Sequence, residues 1–207
     1  MKIDVKQVGE LMTNCYIVWD ENTKNAAVID PGDDGAYMAD CLKKLGLTLK
    51  YILLTHGHFD HIGGVDELRQ VCGSKPEVYI AESDLGLEAV FHETASLDPK
   101  TVKTWKEGDT VTMDSITFQV IATPGHTPGS VCLIAGDVIF SGDTLFQGSC
   151  GRTDFPGGSW GQMSASLKRL YELPGDYTVL SGHTGSTTLE RERKTNMFMI
   201  SAVGEGS

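Results

Sequence analysis

The chain has 207 residues, 40% of them hydrophobic, which suits a globular fold with one substantial core and argues against disorder. A formal charge of −11 leaves no basic surface to displace counterions, so nucleic acid is excluded as a partner. No run approaches the ~20 apolar residues of a membrane span, and the opening Met1–Lys6 holds no apolar signal core, which predicts a chain that neither crosses a membrane nor is exported.

In chain order, residues 2–7, 14–19 and 25–30 read as strands, separated by turn residues such as Asp20-Glu21-Asn22 and followed by Pro31-Gly32-Asp33-Asp34. Tyr37, Met38, Cys41, Leu42 and Leu45 fall at helical spacing over 35–45, and Gly46 can stop that helix. A strand over 50–54 and a helix over about 64–72 follow, closed by Gly73, then a strand over 77–81. Residues 82–105 read as a helix and then a loop. Strands are predicted over 110–113, 116–122, 131–135, 137–140 and 177–180. Capping-box spacing at Ser159-Trp160-Gly161-Gln162 announces a helix over about 160–172. The same spacing at Thr187-Thr188-Leu189-Glu190 opens a last helix running to about 200. No linker or repeat divides the chain, so residues 1–207 read as one layered α/β domain. Cysteines 15, 41, 72, 132 and 150 are odd in number and lack Cys-x-x-Cys spacing, which predicts reduced thiols and a cytoplasmic protein.

Four of the strand-like runs end in possible metal ligands. Tyr51–Leu54 leads to His56, His58, Asp60 and His61; Phe118–Ala122 leads through Thr123-Pro124-Gly125 to His126. Val138–Phe140 leads through Ser141-Gly142 to Asp143, and Thr178–Leu180 through Ser181-Gly182 to His183. Glycine permits a tight exit from each strand, and the sheet fixes where the strand ends lie. His56 and His58 alternate on extended backbone and can grip one ion, whereas Asp60 and His61 lie where the chain turns into a helix and can reach a second. Of the six histidines only His92 lies outside this context.

This constellation resembles the metallo-β-lactamase superfamily. The matching pieces are Thr55-His56-Gly57-His58-Phe59-Asp60-His61, Thr123-Pro124-Gly125-His126-Thr127, Ser141-Gly142-Asp143-Thr144 and Ser181-Gly182-His183, with Thr13-Asn14-Cys15-Tyr16 and Asp30-Pro31-Gly32 upstream. The resemblance implies an αββα sandwich with the site at one edge, between the sheets. It assigns His56, His58 and His126 to a first divalent metal and Asp60, His61 and His183 to a second, with Asp143 bridging both.

Within that family, aspartate at 143 and the absence of a signal peptide argue against antibiotic hydrolysis, and histidine at 58 argues against the oxygen-reducing di-iron relatives. The run Leu145–Phe155 is similar to a signature of small glyoxalase II-like hydrolases and of persulfide dioxygenases, both of which act on thiol-derived substrates. Only about two dozen residues follow His183, so the helical domain that helps full-length glyoxalase II bind glutathione is not expected. Thr184 and Met197 depart from the Gly-His-Gly and Asn-Pro steps of close relatives without removing a ligand.

The expected activity is therefore hydrolysis of a small thioester by a hydroxide shared between two divalent ions, zinc first and iron or manganese tolerated, with Asp60 and Asp143 in catalytic roles. A one-iron persulfide dioxygenase built on His56, His58 or His126 and Asp143 is the alternative enzyme, and a metal-sensing domain the non-enzymatic one. Arg152 has two roles open to it, pairing with a substrate carboxylate or bracing its own loop through Asp154; the Arg-Thr-Asp order favours the second. Phe155 and Trp160 are either cleft walls or packing anchors, Tyr16 reads as core, and His92 as an exposed side chain. Sequence assigns no oligomeric state.

Overall fold

A computed structural model describes residues 1–73, 75–86 and 97–204. The first sheet has the order β1 (Lys2–Val8), β2 (Thr13–Trp19), β3 (Asn25–Ile29), β4 (Thr48–Leu53), β5 (Glu77–Ala81) and β6 (Lys103–Trp105). It is antiparallel from β1 to β3 and parallel from β3 to β6. The second sheet runs β14 (Thr187–Thr188), β13 (Thr178–Ser181), β10 (Val138–Gly142), β9 (Val131–Ala135), β8 (Ile116–Ala122) and β7 (Thr110–Met113). Helices α1 (Gly35–Lys44) and α3 (Val65–Cys72) cover the first sheet; α4 (Trp160–Tyr171) and α6 (Met197–Gly204) cover the second.

Strands buried on both faces carry unbroken apolar runs whose alternate residues serve different layers. In β2, Ile17 packs outward under α1 and α3 while Val18 points between the sheets. In β10, Ile139 meets Met163 and Leu167 of the α4 layer, and Phe140 turns inward beside Phe118. Each such fully buried side chain contributes about 1.5–3 kcal/mol, so three apolar layers fix the positions of the strand ends. The result is the expected four-layer αββα sandwich. Among the described residues, no helix is long and apolar enough to cross a membrane.

Three sequence expectations need correction, and one short hairpin is new. Residues 103–105, read as loop, form β6 against β5; the expected helix after residue 82 falls largely on residues 87–96, outside the described residues, and a tight turn, Glu82–Asp84, precedes them. The hairpin of β11 (Leu145–Phe146) and β12 (Ser149–Cys150) is too short for any periodicity to announce. The last helix is two: α5 (Leu189–Thr195) stops at buried Asn196, which takes extended backbone, and its Oδ1 accepts from the Phe198 and Met199 N–H groups to start α6. Finally, the cap of α5 is Thr188, whose hydroxyl accepts from Arg191 N; Thr187 pairs in β14 and donates to Glu192 instead. Ser159 caps α4 through Gln162 N as expected.

Candidate metal centre

β8, β10 and β13 run in one direction through their pairings in the second sheet, so their C-terminal ends open on one edge, where the donors that follow β4 of the first sheet meet them. His56 follows β4 and Thr55. His58 is the N-cap of the short helix α2 (Phe59–Ile62), which carries Asp60 and His61. His126, Asp143 and His183 leave β8, β10 and β13. All seven candidate ligands come together. Donor atoms of His56, His58 and His126 lie within 4.8 Å of one another, as do those of Asp60, His61 and His183, and those of His56, His61 and Asp143. Asp143 Oδ2 stands 3.5 Å from both His126 Nε2 and His183 Nε2, at the junction of the two outer groups.

Close backbone approach needs glycine here. A Cβ on Gly182 would collide with the Asp143 carboxylate, and one on Gly142, at φ +47°, with Thr55.

Outer contacts fix ring orientation. His61 Nδ1–H donates to Asp30 Oδ2 at 3.0 Å and His126 Nδ1–H to the Arg152 carbonyl at 2.7 Å, which leaves both Nε2 atoms facing the cluster. Asp30 reaches His61 from a left-handed backbone, φ +52°, and also accepts from Thr55 N and Oγ1. His56 Nδ1 meets Thr55 Oγ1 at 3.1 Å, while its buried Nε2 has no hydrogen-bond partner. A buried imidazole nitrogen aimed at two more imidazoles fits a divalent cation: neutral nitrogen donors with carboxylates are its ordinary ligands.

The charges divide unevenly. Burial, with the neighbouring imidazoles, holds His56 well below its usual range and pushes His58 down to about 3. Burial also opposes the charged form of His61, but Asp143, Asp30 and Asp60 outweigh it and raise the group to about 9. His183 is raised too, its desolvation outweighed by Asp60 and Asp143. Asp60, although desolvated, is held low by His183 at 3.1 Å, His61 and the Thr13 hydroxyl.

The residue that sequence reading missed is Asp84. Fully buried in the turn after β5, it accepts from Gly57 N at 2.9 Å, Thr127 Oγ1 at 2.7 Å and Gly129 N at 2.6 Å, tying the His56–His58 loop to the His126 loop. Its signal was available: β5, like β4, is an apolar strand whose exit carries a carboxylate.

A cavity of about 570 Å³ opens over the cluster, walled by Leu11, Phe59, Phe146 and Phe155. Arg152 borders it, but its guanidinium forms two 2.7 Å hydrogen bonds to Asp154 and stacks 3.8 Å over Phe155. Trp160 meets Phe198 instead of the cavity, and Tyr16 is a core residue whose hydroxyl donates to the Ser181 carbonyl. Burial raises the Cys150 thiol beside the cavity to about 11, so it is no activated nucleophile. His92 lies outside the described residues.

The profile of the metallo-beta-lactamase superfamily matches residues 8–183. The hydroxyacylglutathione hydrolase GloC of Haemophilus influenzae is 35% identical over 97% of this chain and 99% of its own. Among solved structures, the BLEG-1 B3 metallo-beta-lactamase superposes with a TM-score of 0.84 at 34% identity, covering 96% of this chain and 99% of that one. TTHA1623 in a di-iron-bound form gives 0.82 at 36% identity, covering 94% and 99%. Geometry and descent agree: the chain belongs to the metallo-beta-lactamase superfamily, as one of its metal-dependent hydrolases.

Proposed function

We propose that this chain is a binuclear thioester hydrolase of the glyoxalase II type. The observation that carries the reading is the pair of three-donor groups meeting at Asp143. His56, His58 and His126 would hold one ion, Asp60, His61 and His183 the other, and Asp143 would serve both. Zinc is the first choice, and iron or manganese suits the same donors. Such ions supply the positive field that makes water acidic near neutral pH and polarises a carbonyl.

The chain's own residues supply the rest. Asp60, kept ionised by His183 and Thr13, holds negative charge on the cavity floor and orients the attacking water. Asp30 and the Arg152 carbonyl hold His61 and His126 in the tautomers that face inward. Phe146 and Phe155 keep bulk water from the acyl carbon. In balance, the water oxygen bonds to that carbon and the carbon–sulfur bond breaks with its electron pair on sulfur. One water proton neutralises the thiolate, the other passes to solvent, and the acid leaves as a carboxylate. Neither a serine nor a cysteine nucleophile is needed. We further infer that residues 1–207 act as one unit on a small thioester in the cytoplasm, where the five free cysteines stay reduced.

The di-iron-bound form of TTHA1623 shows that a similar chain takes iron, which keeps a second reading in play, a one-iron persulfide dioxygenase using part of the same donor set. Metal analysis of protein purified without added metal, paired with anaerobic assays, separates them. The hydrolase reading expects two metal equivalents and thiol release from S-lactoylglutathione or another small thioester without oxygen. Oxygen uptake with glutathione persulfide, and no anaerobic thiol release, would overturn it. A β-lactam in the same assay tests the activity named for BLEG-1, which aspartate at 143 argues against.

A further inference from the structure

The cavity walls and the cations around them differ sharply in what they offer a substrate. Phe155 stands edge-on to His58 at 5.9 Å and Phe146 edge-on to His183 at 6.3 Å, so an aromatic ring closes each end of the donor cluster. Leu11, at the turn between β1 and β2, overhangs the cavity while remaining 54% exposed. An apolar side chain held over a polar floor gains burial only when something apolar lies beneath it. Among the described residues lining the cavity, Arg152 is the one lysine or arginine, and Asp154 takes its Nε–H and one Nη2–H and offsets its charge while Phe155 lies against its face. The adjoining groove on the far side of His183 contains Lys6, which Asp4 pairs at 2.9 Å. The chain as a whole repels anions at −11.

We propose that the site selects thioesters whose thiol arm is apolar and uncharged, because Leu11, Phe146 and Phe155 offer it apolar surface while every cation bordering the two grooves is already paired within the described structure. This rests on the thioester hydrolase reading and narrows it. A glutathione arm, with two carboxylates, would meet a guanidinium and an ammonium whose charges Asp154 and Asp4 already offset; a compact neutral thiol meets the aromatic walls directly. Asp154 is thus a specificity residue, since it withholds Arg152 from substrate carboxylates.

The test compares one acyl group on two thiols, S-lactoylglutathione and S-lactoyl-N-acetylcysteamine, with the metal-loaded full chain. The neutral thioester should show kcat/KM at least tenfold higher. Asp154→Asn should raise kcat/KM for the glutathione thioester several-fold and leave the neutral one within twofold, which also reports that the variant is folded. Leu11→Ser should lower kcat/KM for the neutral thioester several-fold more than for the glutathione one. Equal or better turnover of S-lactoylglutathione by the unmodified chain overturns the proposal while leaving the hydrolase reading intact. Failure of both thioesters removes the hydrolase reading and this proposal together. An Asp154→Asn variant that leaves the preference unchanged removes Asp154 from the specificity role.

Discussion

His56, His58 and His126 meet as three buried imidazoles, whereas Asp60, His61 and His183 meet as two imidazoles and a carboxylate reaching toward the open cavity. In the first group, burial and mutual repulsion keep His56 and His58 neutral at pH 7, so their nitrogen lone pairs stand ready for a cation. In the second, carboxylates raise His61 and His183, and at His61 a proton occupies the place a cation would take. The difference teaches that one fold edge prepares two sites for metal in opposite ways. Uptake at the all-nitrogen group needs little proton release, but uptake at the carboxylate group displaces protons and so weakens as pH falls.

Asp143 joins the two groups, and losing it should break the comparison most completely. Asp143→Ala should abolish thioester turnover and lower the metal content of the purified protein. Normal stoichiometry with full activity in that variant would refute the shared role.

Asp84 should affect one group and spare the other. Its two oxygens accept three hydrogen bonds from the loops that carry His56, His58 and His126. Asp84→Asn puts an amide N–H against one of those donors and leaves a buried polar group unpaired, a cost of about 1–3 kcal/mol. Metal affinity of the all-nitrogen group should fall by about 10–100-fold, the usual effect of removing an outer partner. Competition with a graded series of chelators would read this as one ion lost early; uniform weakening of both ions would contradict it.

The proton stored at His61 gives a third handle. Its folded value of about 9 lies above the usual 6.5, so its stabilising contribution is complete below about 6.5 and disappears as pH rises through 9. Metal-free protein should therefore melt at a lower temperature at pH 9.5 than at pH 6.5. Metal-loaded protein should lose this dependence, because the ion replaces the proton. A metal-free melting temperature that holds steady or climbs over this interval would count against stored protons in the carboxylate group.

Why part of this was legible in sequence follows from how the sheets work. β4, β8, β10 and β13 are apolar runs ending in small residues, and the parallel direction of β8, β10 and β13 within the second sheet makes their ends coincide beside the donors that follow β4. The run itself therefore announces both the layer and the approximate place of each donor. Asp84 escaped because the apolar run of β5 is its one signal, the three-residue turn that holds it has no period of its own, and its burial depends on loops 27 and 45 residues away. Asn196 escaped for a similar reason. Helical spacing continues through it, and only the tertiary contacts of its amide, to Ser149 O at 2.9 Å and Glu192 Oε2 at 2.9 Å, explain why the helix breaks there. Arg152 was half legible: the Arg-Thr-Asp order pointed to the pair with Asp154, but the stack on Phe155 required the fold.

Thr13 supplies the smallest and sharpest comparison, since it touches only the carboxylate group. Its hydroxyl donates to Asp60 Oδ2 at 3.1 Å, from the first residue of β2, on the sheet opposite His183. Valine keeps the shape and the strand propensity but removes the donor, leaving His183 and His61 as the partners of that oxygen. A hydrogen bond to a charged group is worth about 1.5–3 kcal/mol, and Asp60 is partly open to water, so the lower end applies. Thr13→Val should weaken metal at the carboxylate group by about tenfold, leave the all-nitrogen group unchanged, and reduce kcat more than it raises KM, because Thr13 does not line the cavity. Equal weakening at both groups would mean that the hydroxyl acts through the fold as a whole and not through Asp60.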